Sequence, residues 1–284
     1  MLFLGYPFKW TYFWWPLQRY MSAFFSDVTS FSAISERLTP TELVQLVNEY
    51  LGEMCEILER HGATIDKFEG DAILAFFGAP VAFDDHAQRA VRAGIEQQQK
   101  LVELRDRWRV DPNMPAALRQ LQTQWEEEGR TFWQVRMGMT CGDIVVGNMG
   151  SKNRTDYTMM SDTVNLAARF ESGQKFYGTS IMINDSMYEI VSGEVETRKI
   201  DLIQVMGREG AVTAYEVLGL KGELSPLTRR VLEVYARGME AYERFDFEGA
   251  LDLFRQALDI DPGDGPSALY VDRCEEYVVA PPTD

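Results

Sequence analysis

Positive charge is scarce in this chain: Lys and Arg number 28 against 44 Asp and Glu, a formal net charge of −16. A basic stripe, the usual footprint of a nucleic-acid binder, is therefore excluded. Polyphosphate binding stays open, but an acidic protein needs divalent metals and a few well-placed cations for it. Cysteine is scarce too. Cys55, Cys141 and Cys274 are scattered with no CxxC spacing, which excludes a disulfide framework or a zinc site and fits a reducing, cytoplasmic setting. Long apolar runs are also missing. The opening "MLFLGYPFKWTYFWWPLQRY" holds nine Phe, Trp and Tyr residues, yet Pro7, Lys9, Pro16 and Arg19 interrupt it, so no span of about 20 apolar residues exists there. Nor does it carry the small-residue cleavage site of a signal peptide. Residues 1–20 read as an aromatic docking tail, for an upstream sensor, or as the remnant of a longer parent chain, and their Trp and Tyr also suit contact with a membrane surface.

What is present is ordinary for a globular protein: 45% apolar and 25% charged residues over 284 positions, room for one large domain and an appendage. "SAFFSDVTSF" (22–31) reads as a buried strand running into a polar loop. "TPTELVQLVNEYLGEMCEILERHG" predicts a helix with Thr39 as cap, Pro40 in the first position and Glu42 closing a capping box. "TIDKFEGDAILAFF" predicts a hairpin turning at Glu69-Gly70, with Phe68 opposite Asp71 and Lys67 opposite Ala72. That register sends Lys67 and Asp71 to opposite faces, so they form no salt bridge and are free to serve different sites. A second helix, capped near Asp84, and a surface insertion at roughly 110–131 follow. Then come a second hairpin turning at Cys141-Gly142-Asp143, a short helix capped by Ser161 or Asp162, and strands near 196–205 and 212–218. This order predicts an α+β domain with one sheet face covered by helices. After Pro226 only helix is predicted, and "YARGMEAYERFDFEGALDLFRQALDIDPGD" resembles a single tetratricopeptide repeat. One repeat cannot bury its own face, which favours a helical extension packed on the preceding domain over a separate module.

Asp27 and Asp71 stand at strand–loop junctions of strands expected to be neighbours. Two such carboxylates suit a pair of divalent ions, as phosphoryl-transfer chemistry requires; each alone is an ordinary turn or cap residue. Asn165 and Arg169 lie at i and i+4 of one helix face. They suit a hydrogen-bond donor and a phosphate-charge stabiliser, or a solvated face with Arg169 paired to a surface carboxylate.

The ordered set "FFSDVTSF", "DKFEGDAILAFFG", "CGDIVVGNMGSKNRTDYT" and "SDTVNLAARFES" resembles the catalytic domain of class III nucleotidyl cyclases over roughly residues 22–220. The resemblance implies a ferredoxin-like domain at 21–220, preceded by the tail at 1–20 and followed by the tetratricopeptide-like helical extension at 226–284. It implies a head-to-tail homodimer with sites at the interface. Two metal ions, Mg²⁺ or Mn²⁺, would be held by Asp27, Asp71 and the Val28 carbonyl. Lys67 and Thr158 of the partner would read the base, Asn165 orient the ribose and Arg169 stabilise the transition state. A lysine ammonium only donates, which suits N1 of adenine, and the Thr158 hydroxyl can accept from the adenine amino group. The expected reaction is therefore ATP to 3′,5′-cyclic AMP and pyrophosphate in intracellular signalling. Lys67 disfavours a guanylate cyclase, and "FEGDAIL" lacks the Gly-Gly-Asp/Glu-Glu-Phe run of a diguanylate cyclase. Three positions depart from the family pattern: Ser30 and Ser161 replace glycines, and Met206 stands where a phosphate-binding lysine is usual. Arg208, Lys152 or Arg154 are candidate substitutes for that lysine, Arg208 foremost. The departures keep a second class of reading in view, a catalytically degenerate cyclase acting as a nucleotide-binding or dimerisation module.

Overall fold

The computed structural model describes residues 16–151, 153–204 and 210–282. In chain order, β1 (Leu17–Val28) leads through α1 (Phe31–Ser35) and α2 (Pro40–Arg60) to the hairpin β2 (Thr64–Glu69) and β3 (Ala72–Phe77). Next come α3 (His86–Val110), α4 (Ala116–Glu127), β4 (Val135–Ser151), β5 (Arg154–Met160) and α5 (Asp162–Tyr177). The order then runs β6 (Ile181–Asn184), α6 (Asp185–Val191), β7 (Val195–Gln204) and β8 (Ala211–Leu220), and closes with α7 (Pro226–Glu243), α8 (Phe247–Ile260) and α9 (Gly265–Val279). Among the described residues, no helix is long and apolar enough to cross a membrane.

The strands form one mixed sheet in the order β2-β3-β1-β4-β6-β8-β7, with β5 paired to β4 and only β4–β6 parallel. The run β2-β3-β1-β4, with α2 and α3 crossing one face, is the expected ferredoxin-like order. Alternation decides what each face meets. Phe24, Ile73, Ala75, Phe77, Met137 and Met139 join the large core with Leu46, Tyr50 and Val91 of α2 and α3. The opposite face, with Met21, Ala23, Phe76 and Ile144, receives Val164 and Ala167 of α5. Helices therefore cover both faces, not one. Gly138 explains how close α5 comes, because a Cβ there would lie 2.0 Å from the Ala167 carbonyl oxygen.

Several boundaries differ from the sequence expectation. β1 starts at Leu17, within the stretch assigned to the tail, and ends at Val28, with Phe31 already helical. β4 runs straight through Cys141-Gly142-Asp143, which pair with Ser22, Met21 and Tyr20 of β1; the chain turns instead between β4 and β5. Most of the supposed surface insertion is α4, and its Leu118, Leu121 and Trp125 are buried. The helix after β3 takes Asp85 as its N-cap position. Other local readings match: Thr39 and Glu42 form the capping box, with Thr39 N–H donating to Glu42 Oε2 at 2.8 Å, and Ser161 Oγ caps α5 by accepting from Val164 N–H at 3.2 Å.

The C-terminal helices pack on β7 through a buried polar seam. Arg198 of β7 bridges Glu216 of β8 and Asp264 at the start of α9, the latter at 2.6 Å. Tyr235 and Tyr270 donate hydroxyls to the Lys199 and Ile200 carbonyls. A buried cation with two carboxylates costs much desolvation, so the seam favours one docking geometry over a sliding one.

Candidate active site

The first cluster sits where β1 ends against the β2–β3 turn. Gly70 makes that turn possible with φ of 69°, a left-handed conformation that costs glycine little. Asp71 follows and folds back on β1, where its Oδ2 accepts the Val28 N–H at 3.0 Å. Asp71 is only 8% exposed, and Asp27 lies within hydrogen-bonding reach of it. Burial, followed by the Asp27 charge, pushes the Asp71 carboxyl up to about 7. Two like-charged oxygen ligands held this close disfavour joint ionisation unless a cation joins them. The pair offers hard carboxylate oxygens of the kind that suit Mg²⁺ or Mn²⁺. Among the described residues there is no group of three or more His, Cys, Asp or Glu side chains able to hold a metal, so this pair is the candidate.

Sequence reasoning missed the local counter-charge. Arg136 stands opposite Asp27 in the β1–β4 register and bridges Asp27 at 3.0 Å and Glu171 of α5 at 2.9 Å. Burial raises the Glu171 pKa despite that arginine. The signal was the strand pairing itself, which the sequence does not display.

The second cluster lies on β2 and β5, and here the predicted register fails. Lys67 pairs with Leu74 and Glu69 with Ala72, so the turn is Gly70-Asp71 and not Glu69-Gly70. A bulge at Asp66, between Ile65 and Lys67, shifts the alternation again. Asp71 occupies the turn itself, so the derivation of opposite faces from the pleat does not hold. What separates the two residues is their partners. Asp71 is held by Val28 and Asp27, whereas Lys67 is 43% exposed with its Nζ 3.9 Å from Asp66 Oδ1. Thr158 of β5 joins them, donating its hydroxyl proton to Asp66 Oδ2 at 2.6 Å. The structure thus brings Lys67 and Thr158 together through a residue that sequence reasoning passed over.

On α5, Asn165 and Arg169 are both exposed, one turn apart. Neither side chain joins the carboxylate pair, and Arg169 makes no ion pair among the described residues, in contrast to Arg136. Of the departures from the family pattern, Ser30 is a left-handed residue at φ 59° with no side-chain cap, a conformation glycine would hold more easily. Ser161 works as a cap. Arg154 is exposed and nearest Asp156, at 3.9 Å. Arg208, Met206 and Lys152 lie outside the described residues.

Comparison with known proteins agrees with this geometry. Residues 18–219 match the adenylate and guanylate cyclase catalytic domain. Adenylate cyclase 1 of Rhizobium meliloti (strain 1021) is 32% identical over 200 residues, covering 70% of this chain; the chain spans only 28% of that protein's length. Among solved structures, the adenylyl cyclase CyaB from P. aeruginosa superposes with a TM-score of 0.60 at 32% identity, covering 74% of this chain and 99% of the other. The guanylyl cyclase Cya2 does so with a TM-score of 0.56, also at 32% identity, covering 74% of this chain and 97% of the other. Equal identity to an adenylyl and a guanylyl cyclase leaves the choice of base to individual side chains. By the match over most of its length and by its fold, this chain belongs to the adenylate and guanylate cyclase catalytic domain family.

Proposed function

We propose that this chain is the catalytic domain of an adenylate cyclase, converting ATP to 3′,5′-cyclic AMP and pyrophosphate in cytoplasmic signal transduction. It works as a head-to-tail homodimer with sites shared across the interface. The observation that carries the base choice is the Lys67–Asp66–Thr158 cluster. Lys67 offers only donors, which match the bare N1 of adenine and clash with the protonated N1 of guanine. Thr158 has its proton committed and faces the exocyclic amino group with lone pairs. Asn165 orients the ribose, and Arg169, which makes no ion pair among the described residues, meets the negative charge that develops on the α-phosphoryl group. Asp27, Asp71 and the Val28 carbonyl would hold two divalent ions, which when bound would supply charge to activate the 3′-hydroxyl and steady the leaving pyrophosphate. Large exposed apolar side chains beside the base cluster, Phe68 and Met160, support burial by a second copy. Arg208 completes the phosphate contacts in place of the usual lysine, the segment 226–284 acts as a docked tetratricopeptide-like unit, and residues 1–20 contact a sensor or membrane surface.

Purified protein assayed with ATP and GTP in parallel, in Mg²⁺ and in Mn²⁺, tests the reading. Cyclic AMP formation with little cyclic GMP is expected, and a preference for GTP overturns it. Ser30 in the left-handed region favours one rival reading, a degenerate domain that binds nucleotide without turnover. No product from either nucleotide, with binding retained, establishes that rival instead.

A further inference from the structure

Thr158 is an ambiguous base reader on its own. A hydroxyl carries one proton and two lone pairs, and by rotating it can donate to the O6 of a 6-oxopurine as readily as it accepts from the amino group of a 6-aminopurine. In this structure the rotation is not free. The Thr158 hydroxyl donates to Asp66 Oδ2 at 2.6 Å. Asp66 is 2% exposed at its side chain, so no bulk water competes for that proton. It sits at the β2 bulge between Ile65 and Lys67, a place where the pleat is broken and a side chain is re-aimed. Its other oxygen, Oδ1, has no hydrogen-bond partner and faces the Lys67 ammonium at 3.9 Å.

We propose that Asp66 is a specificity-determining positioning residue: by taking the Thr158 proton it makes that hydroxyl an obligate acceptor, and so selects 6-aminopurine nucleotides over 6-oxopurine ones. The proposal rests on the adenylate-forming reading above and deepens it. Asp66 touches no part of the base. It acts through Thr158, and its free oxygen holds the Lys67 ammonium nearby, so both readers present one polarity pattern, donor at N1 and acceptor at the C6 amino group. Guanine and hypoxanthine offer the reverse pattern at both places, N1–H and O6. A carboxylate can impose this polarity because it only accepts.

ITP is the sharpest competitor, since it differs from ATP at N1 and C6 alone and lacks the 2-amino group of GTP. The test measures kcat/KM for ATP and ITP on the full chain with Asp66→Leu, which keeps the branched shape without an acceptor, and with Asp66→Ala. The ATP:ITP ratio is expected to fall about tenfold in both, one mismatched hydrogen bond being relieved. A merely structural loss lowers both substrates equally and leaves the ratio alone. Thr158→Val is expected to lower the ratio as well, and Asp66→Leu added to Thr158→Val is expected to lower it no further. Thr158→Ser, which restores the hydroxyl, keeps the wild-type ratio. Displacement of ribose-labelled mant-ATP by ATP or ITP reads the same ratio in a variant that binds without turnover. If Thr158→Val lowers the ratio while Asp66→Leu and Asp66→Ala keep it, Asp66 does not set the polarity and the proposal falls with the base readers intact. If Thr158→Val also keeps it, Thr158 does not read the base, and the underlying reading falls too.

Discussion

At the turn of the β2–β3 hairpin, Asp71 is pressed against Asp27, whose counter-charge Arg136 bridges to Glu171 and not to Asp71, and the Asp71 carboxyl is pushed up to about 7. Five residues earlier on the same hairpin, Asp66 is buried as deeply, yet it has a hydroxyl donor on one oxygen and an ammonium near the other. Both are acidic groups withdrawn from water. The first is left with excess negative charge and the second is compensated within its own chain. A buried carboxylate pair with only one member compensated, Asp27 by Arg136, lowers stability, and such sites persist where a ligand or ion completes them. A compensated one fixes its neighbours in place. On the proposed reading, the two parts of one hairpin divide the work: one gathers charge for metal and phosphate, the other carries a preset hydrogen-bond pattern for a base.

Breaking the under-compensated end gives the largest effect. Asp71→Asn is expected to reduce cyclic AMP formation by about 10³-fold, through loss of a metal ligand. The same change is expected to stabilise the metal-free protein. A carboxyl near 7 when folded and about 3.9 when unfolded binds its proton more tightly in the folded state. Stability therefore falls as pH rises between those values, and the penalty is fully present above pH 7. Thermal melts in EDTA should show Asp71→Asn above wild type at pH 8, with the gap narrowing by pH 5. A variant that melts lower than wild type at pH 8 contradicts the charge-repulsion account of this end.

At the compensated end the effect is on choice and not on rate alone. Lys67→Glu with Thr158→Cys reverses the polarity offered to the base. The ATP:GTP ratio of kcat/KM is expected to move at least about tenfold toward GTP, from mismatched buried hydrogen bonds. An unchanged ratio removes both residues from base reading.

The smallest effect concerns the turn between β1 and α1, three residues after Asp27. Ser30 holds φ 59°, and a left-handed non-glycine residue costs roughly 1–2 kcal/mol. Ser30→Gly is expected to raise Tm by a few degrees while leaving the ATP:GTP ratio untouched. No rise in Tm shows that the serine is not strained.

Much of this contrast was legible in the sequence, for physical reasons that differ between the ends. Asp27 and Asp71 could be paired because each follows an apolar strand pattern into a polar junction, and neighbouring strands bring such junctions together. Asp66 could not be found that way. Its placement depends on a bulge, and one extra residue in a strand leaves no mark in an alternating pattern as short as "TIDKFE". The turn was misplaced by one residue because Glu69-Gly70 and Gly70-Asp71 are both acceptable two-residue turns, and packing of Asp71 on Val28 decides between them. Cys141-Gly142-Asp143 looked like a turn because of its glycine. The glycine instead makes room for Thr163 at the start of α5, where a Cβ would lie 2.8 Å from its hydroxyl oxygen. Short-range patterns reveal the elements, and residues that answer to another element stay hidden.

The central claim is that the carboxylate cluster of one chain and its base-reading cluster, the latter working with Arg169 of the same chain, serve two different sites in a dimer. Asp71→Ala removes only the metal end of a chain and Arg169→Ala only its transition-state arginine, so each homodimer should be nearly inactive. Mixing the two proteins and letting subunits exchange tests the claim directly. Each heterodimer then holds one site with every group present and one lacking both, and statistical mixing should restore about a quarter of wild-type activity. Heterodimers shown to form but as inactive as either parent would place both clusters in a single subunit's site and contradict the account.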